Sequence, residues 1–253
     1  TNNYKDKSNA YILNRLMIEF MGVVPQMEIV NWYQPMQTSS SDYAMYSILM
    51  PYQTIAVDRM LDRELNHTQY ISHAFENDVN GMKYNLIKGC HPHTIADATG
   101  GILQMDVGLG KTVCMIALYQ RNPVKTLVVV PLTLIDQWKI EIHKFIPSAN
   151  VTEFYGKKKD SSGDIVLTTY GTVLSVYKAN ASFHRIGRII FDESHSIKSV
   201  TSMTCRACAE ISAPYRWCLT ATPIQNVAIN SIVPQLCMLN CEPFTFTTSQ
   251  KLT

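Results

Sequence analysis

Two short stretches carry residue types that could do phosphoryl chemistry. The first runs from Gly100 to Thr112, an apolar run that turns through Gly108-Leu109-Gly110 into Lys111-Thr112 and continues as an apolar, helix-like segment. Glycines at 108 and 110 let the backbone close around oxygens that a Cβ would hold away. A loop feeding a helix N-terminus aims backbone N–H groups and the positive end of the helix dipole at an anion. Lys111 would reach the β/γ-phosphates as a point charge, and the Thr112 hydroxyl would ligate Mg²⁺. The expected nucleotide contacts are therefore Asp106, Gly108, Leu109, Gly110, Lys111 and Thr112. The G-x-x-x-x-G-K-T pattern is met only in its second half, because Met105 stands at its first glycine position.

The second stretch is Asp192-Glu193-Ser194-His195, directly after the apolar Ile189-Ile190-Phe191. In open α/β sheets, ligands lie at the carboxyl ends of strands. Asp192 would hold Mg²⁺, directly or through water, and Glu193 would orient and deprotonate an attacking water. Adjacent carboxylates repel unless they share a cation. An ion bridging nucleotide phosphates supplies one, which groups this pair with Lys111 and Thr112 and not with a glycosidase-type pair. Gln53 follows Pro51 at the start of a helical pattern through Ile55, Val57, Met60 and Leu61. Its amide both donates and accepts, so it could face an adenine edge; taken alone, a solvent-facing glutamine is the plainer reading.

The segments around these residues alternate in period. Thr126–Val130, ended by Pro131, is a β-branched run of the kind found in fully buried parallel strands. A helix over Leu132–Phe145 carrying Trp138 follows, then strands at Val151–Tyr155, Ile165–Tyr170 and Arg188–Phe191, and a helical segment ending near Leu239. This alternation predicts an α/β fold, a mostly parallel sheet with helices on both faces. Residues 1–47 read as an extension and linker, with one amphipathic helix at Ala10–Met21 followed by Pro25, Pro35 and Thr38-Ser39-Ser40-Ser41. The main domain spans 48–253, with a polar, Asn- and His-rich insertion over about 62–99.

With 46% apolar residues the chain can fill a core of this class, and a net charge of +2 means that any nucleic-acid surface must be a local patch. There is no apolar run of about 18 residues and no signal-peptide core at the start, so a soluble intracellular protein is expected. Seven cysteines, an odd count, fit reduced thiols. Cys90-His91-Pro92-His93 and Cys205-x-x-Cys208 invite a zinc reading, but the second pair sits in a helical pattern as an i,i+3 couple facing the core, which outweighs it. The missing initial Met and the abrupt end suggest a piece of a longer polypeptide.

Six stretches, taken in order, resemble one family. They are Leu49-Met50-Pro51-Tyr52-Gln53, Gly100 to Thr112, Val128 to Lys139, Asp164 to Tyr170, Asp192-Glu193-Ser194-His195 and Leu219 to Asn226. Together they resemble the first RecA-like, P-loop motor lobe of the SWI/SNF-type superfamily-two DNA translocases, over residues 48 to 246. The insertion before the glycine loop and the Arg63-Glu64 pair resemble most the branch containing helicase-like transcription factor. The resemblance implies Gln53 beside the adenine, Lys111 and Thr112 on the phosphates and Mg²⁺, and Asp192 and Glu193 in hydrolysis. His195, Thr220 and Thr222 would couple nucleotide state to the DNA-bound elements. Ser194 stands where the family usually has Ala or Gly, and Met105-Asp106-Val107 replaces a more usual acidic pair.

The same resemblance implies a DNA-facing surface built from Pro131, Leu132, Thr133, Gly156, Thr168, Thr169 and Tyr170, whose hydroxyls and backbone N–H groups would contact phosphate without reading sequence. Lys157-Lys158-Lys159 adds charge nearby, although such a run is more often a solvated loop. The implied function is the ATP-binding lobe of a DNA-dependent ATPase and double-strand DNA translocase in chromatin remodelling, transcription or repair. The implied partners are a second RecA-like lobe in the parent chain and chromatin, transcription or repair proteins, with no membrane. Its place would be the nucleus, otherwise the cytoplasm or a DNA-virus compartment. No second lobe follows in this sequence, so an arginine finger is expected to be lacking, with weak ATP binding and very slow hydrolysis by this piece. Two other readings stay open. One is a nonhydrolysing, ATP-regulated interaction module. The other is an RNA-directed helicase, against which Gln137-Trp138 and Thr220 to Asn226 weigh.

Overall fold

The computed structural model describes residues 49–65, 75–77, 83–85, 99–222 and 232–241. The expected helix at Ala10–Met21, the linker prolines, most of the insertion, Cys90 to His93 and Pro223 to Asn226 lie outside them. The chain divides into two compact units, residues 1–35 with 69–97 and residues 36–68 with 98–253. In the first unit, β1 (Phe75–Asn77) and β2 (Lys83–Asn85) pair antiparallel.

The second unit is an α/β sheet structure. Among its described residues, α1 (Pro51–Leu65) is followed by β3 (Gly100–Gln104), α2 (Lys111–Arg121), β4 (Thr126–Val130) and α3 (Ile135–Phe145). Next come β5 (Val151–Tyr155), β6 (Lys158–Lys159), β7 (Ile165–Thr169) and α4 (Tyr170–Lys178). The described residues continue with β8 (Arg188–Phe191), α5 (Met203–Ala209), β9 (Tyr215–Thr220) and α6 (Val233–Met238). Seven strands pair in the order β3-β9-β8-β4-β7-β5-β6, and every pair is parallel except β5 with β6.

β4 lies inside the sheet, paired with β7 on one side and β8 on the other, and all five of its residues are buried. Alternate side chains leave it on opposite faces, as a period of two requires. Val128 and Val130 join Leu167, Ile190 and Leu219 under Val57, Met115 and Trp138, the face covered by α1, α2 and α3. Leu127 and Val129 join Val166, Ile189, Phe191 and Cys218 under Val173, Cys205 and Met238, the face covered by α4, α5 and α6. Each such side chain contributes about 1.5–3 kcal/mol by leaving water.

Two local expectations change. Leu132–Leu134 is a separate 3₁₀ turn and α3 starts only at Ile135. The strand expected through Tyr170 stops at Thr169, whose hydroxyl accepts the Thr172 backbone N–H at 3.2 Å and so opens a helix at Tyr170. Gly100 serves the sheet, since a Cβ there would run into the Arg216 carbonyl of neighbouring β9.

Candidate active site

The glycine turn leaves β3 at the carboxyl edge of the sheet. Met105 still pairs with β9, donating to the Thr220 carbonyl at 3.3 Å, and Leu109 closes the turn by donating to the Asp106 carbonyl at 3.2 Å. Gly108 and Gly110 take φ of 85° and 84°, left-handed values that suit glycine. A Cβ at Gly108 would meet nothing, whereas one at Gly110 would strike the amide nitrogen of Gln53. Gly110 is also the N-cap of α2, and no side chain caps that helix. Its first turn, which includes Lys111 and Thr112, thus presents backbone N–H groups of the kind that receive anions. Lys111 Nζ lies over the loop, 2.9 Å from the Met105 carbonyl and 3.4 Å from that of Asp106.

Gln53 is not the solvent-facing glutamine that it suggests in isolation. It is 8% exposed, its Nε2 donates to the Leu109 carbonyl at 2.9 Å and its Oε1 accepts the Met50 backbone N–H at 2.9 Å. The hydroxyl of Tyr52 reaches the same Leu109 carbonyl at 3.3 Å. The first turn of α1 therefore braces the glycine loop from outside.

Asp192 and Glu193 end β8 on the same edge. β9 lies between β3 and β8, with Thr220 opposite Gln104 and Cys218 opposite Phe191. The glycine turn and the acid step are consequently about two strand spacings apart, on the order of 10 Å. Asp192 is 5% exposed; its Oδ2 accepts the Trp138 indole N–H at 2.7 Å and its Oδ1 accepts the Glu193 backbone N–H at 2.9 Å. Burial raises the pKa of its carboxyl above the ordinary value, against those two hydrogen bonds, and the Lys111 charge also acts to lower it.

Glu193 has φ 49° and ψ 43°, a left-handed conformation that costs a non-glycine residue about 1–3 kcal/mol. Its Oε2 lies 3.2 Å from Nδ1 of His195, which is in turn 3.0 Å from Oγ1 of Thr220. The Thr222 backbone N–H donates to that Thr220 oxygen at 3.1 Å. The structure thus brings His195, Thr220 and Thr222 into one chain of contacts ending on Glu193. Ser194 is fully buried, with Oγ 3.2 Å from the Leu219 carbonyl and 3.4 Å from Oε1 of Gln235, so the departure from Ala or Gly has polar partners.

The expected DNA-facing residues divide. Leu132 is 63% exposed, Thr133 and Gly156 are exposed, and Pro131 and Thr169 are half-buried along the edge. Thr168 is corrected: it is fully buried and its hydroxyl donates to the Phe154 carbonyl at 2.7 Å, because β7 is flanked by strands on both sides. The hydroxyl of Tyr170 is also turned inward, donating to the Asp192 carbonyl at 2.7 Å. In the lysine run, Lys158 pairs with Glu153, which Lys139 also holds at 2.7 Å.

Cys205 and Cys208 lie on α5 and are fully buried, and burial pushes the Cys205 thiol up to about 12 and that of Cys208 higher still. Among the described residues, no group of three or more His, Cys, Asp or Glu could hold a metal ion. The other half of that zinc reading, Cys90 to His93, lies outside the described residues, and a magnesium ion held mainly by phosphates needs only one or two protein ligands. Trp138 and Tyr170, whose side chains grip Asp192, have no such role in the sequence reading. A signal for the first was present: a tryptophan at a buried helical position needs an acceptor for its indole N–H.

A family model, the SNF2-related domain, matches residues 19–250. The chain belongs to the SNF2-related domain family. The match starts well before residue 48, where the motif resemblance begins. This SNF2-related chain is 36% identical over 195 residues to "DNA repair protein RAD5B" of Arabidopsis thaliana, covering 58% of the chain and 15% of that protein. It is 38% identical over 173 residues to "ATP-dependent helicase rhp16" of Schizosaccharomyces pombe, covering 58% of the chain and 20% of that protein. It therefore spans a fifth or less of the length of these two curated relatives. The SWI2/SNF2 ATPase core of Sulfolobus solfataricus, solved in complex with dsDNA, superposes with a TM-score of 0.56 at 24% identity, over 80% of this chain and 38% of that one. The fold is the RecA-like fold of that core.

Proposed function

We propose that this chain is the ATP-binding motor lobe of a DNA-dependent ATPase that moves along duplex DNA in the nucleus, in repair, transcription or chromatin remodelling. The lobe spans residues 48–253, carries an insertion over about 62–99, and works with a second RecA-like lobe of a longer protein. The observation that carries the reading is the placement of the Gly108-Leu109-Gly110-Lys111-Thr112 turn and the Asp192-Glu193 step on one sheet edge, either side of β9. Family membership and the duplex bound to the solved SWI2/SNF2 core support it.

The residues fit a magnesium nucleotide. A buried carboxylate whose pKa is raised by desolvation is suited to a cation, and the uncapped N-terminus of α2 to an anion. The chemistry that magnesium would supply here is to offset the negative charge that develops on the phosphate oxygens. Thr112 and Asp192 would hold it. Lys111 would swing from its loop carbonyls to the β/γ-phosphates, and Gln53 would read the adenine from beside the loop. Glu193 would take the proton from the attacking water, with His195 and Thr220 fixing its carboxylate. Pro131, Leu132, Thr133, Gly156 and Thr169 would line the duplex backbone.

Phosphate release by the full-length protein, measured with duplex DNA, single-stranded DNA and RNA, tests this. Duplex should stimulate it most. Glu193→Gln should abolish turnover yet keep binding of a fluorescent ATP analogue, and Lys111→Ala should weaken both. Equal, unstimulated rates would favour a nonhydrolysing module, and stimulation by RNA alone an RNA-directed motor.

A further inference from the structure

Two side chains from separate elements of the carboxyl edge hydrogen-bond one residue, Asp192. Trp138 reaches its carboxylate from α3, and Tyr170 reaches its main-chain carbonyl from the first turn of α4, each at 2.7 Å. These contacts hold both sides of a single peptide plane. The carbonyl of the Asp192–Glu193 peptide accepts from Tyr170. The N–H of the same peptide donates to Asp192 Oδ1, while Oδ2 of that carboxylate is held by Trp138. Such a plane cannot turn without breaking a bond at either side, and it leads directly into the left-handed φ of Glu193.

Both donors sit just behind the exposed edge. The Leu132–Leu134 turn, with Leu132 63% exposed, leads straight into α3, and Trp138 follows on that helix, 2% exposed and packed in the core. Tyr170 follows Thr169, the cap of α4. A movement of either element is therefore delivered to the peptide before Glu193. This route is separate from the His195–Thr220 contact, which runs through β9.

We infer that Trp138 and Tyr170 are positioning residues that pass occupancy of the Leu132–Thr133 and Thr169 edge to the Asp192-Glu193 step. The inference rests on the reading of this chain as a DNA-dependent ATPase. Coupling of this kind is reciprocal: if duplex reshapes the acid step, nucleotide bound there changes duplex affinity by the same factor.

The test measures, on the full-length protein, duplex affinity with and without magnesium and a nonhydrolysable ATP analogue. The ratio for the natural sequence should be on the order of tenfold. In Tyr170→Phe, which deletes one oxygen bonded inward to the Asp192 carbonyl, it should fall toward one, and kcat at saturating duplex should fall while KM for ATP holds. Trp138→Phe should act in the same direction, but it also empties core volume, so Tyr170→Phe decides. A ratio unchanged in Tyr170→Phe, in a protein whose duplex-stimulated hydrolysis is abolished by Glu193→Gln, overturns the positioning role alone. Absence of any duplex stimulation in the natural sequence removes the reading beneath it as well.

Discussion

Arg188 at the start of β8 and Glu64 near the end of α1 form an ion pair with no exposure of either side chain, Nε to Oε1 at 2.7 Å. The same carboxylate accepts from the Trp217 indole at 2.9 Å and from Asn122 Nδ2 at 2.8 Å, while the guanidinium also donates to the Asn122 carbonyl at 3.0 Å. Three stretches far apart in sequence are thus locked to α1, the helix whose other end places Gln53 against the glycine loop. Removing one partner strands a buried charge. Glu64→Ala should cost about 3–5 kcal/mol, whereas Glu64→Met with Arg188→Met together should cost far less than the two single changes added. Urea unfolding followed by far-ultraviolet circular dichroism measures this, and additive single costs would refute it.

Gly110 is constrained from two directions, by its φ of 84° and by the Gln53 amide. Gly110→Ala should lose about 1–2 kcal/mol to the left-handed backbone alone. The collision with Gln53 should displace the loop, weakening binding of a fluorescent ATP analogue by about tenfold for each 1.4 kcal/mol. Gln53→Ala should weaken it less, because Tyr52 still reaches the Leu109 carbonyl. Equal affinity in Gly110→Ala and the natural sequence would show that the loop does not touch nucleotide.

Hydrogen bonds from Lys139 and then Lys158 hold the carboxyl of Glu153 down to about 2 from an ordinary 4.5. Its folded-state pKa is depressed, so the stabilisation is fully present above the unfolded value and disappears as pH falls from about 4.5 to about 2. Both lysines are about half exposed, and water screens them, so the contribution is about 1 kcal/mol. The stability gap between the natural protein and Glu153→Gln, measured across that pH range, should close toward the acid end. It should also shrink with added salt.

With Lys158 committed to Glu153, the neighbouring lysines of the run have more charge to offer a phosphate backbone. Lys157 is exposed, and Lys159 lies 5.1 Å from the Phe154 ring centre on the edge strand β6. Lys157→Ala should lower the slope of log duplex affinity against log salt by about one, and Lys158→Ala by less. Slopes unchanged in both variants would take the run out of the DNA-binding surface.

The sequence by itself determined whatever depends on neighbours in the chain. Thr126–Val130 and Arg188–Phe191 read as buried strands because short apolar runs leave few other solutions, and both are buried throughout. The glycines before Lys111 and the acids after Phe191 are likewise contiguous chemistry. Tertiary structure decided what depends on sheet order and on the side toward which a strand turns its residues. It set β9 between β3 and β8, which brings Thr220 to His195. It turned Thr168 and the Tyr170 hydroxyl inward, and it carried Trp138 and Glu64 to Asp192 and Arg188, 54 and 124 residues away. Strand order and register are chosen by packing across the whole core, and a local period of two or 3.6 holds no record of which distant strand lies alongside.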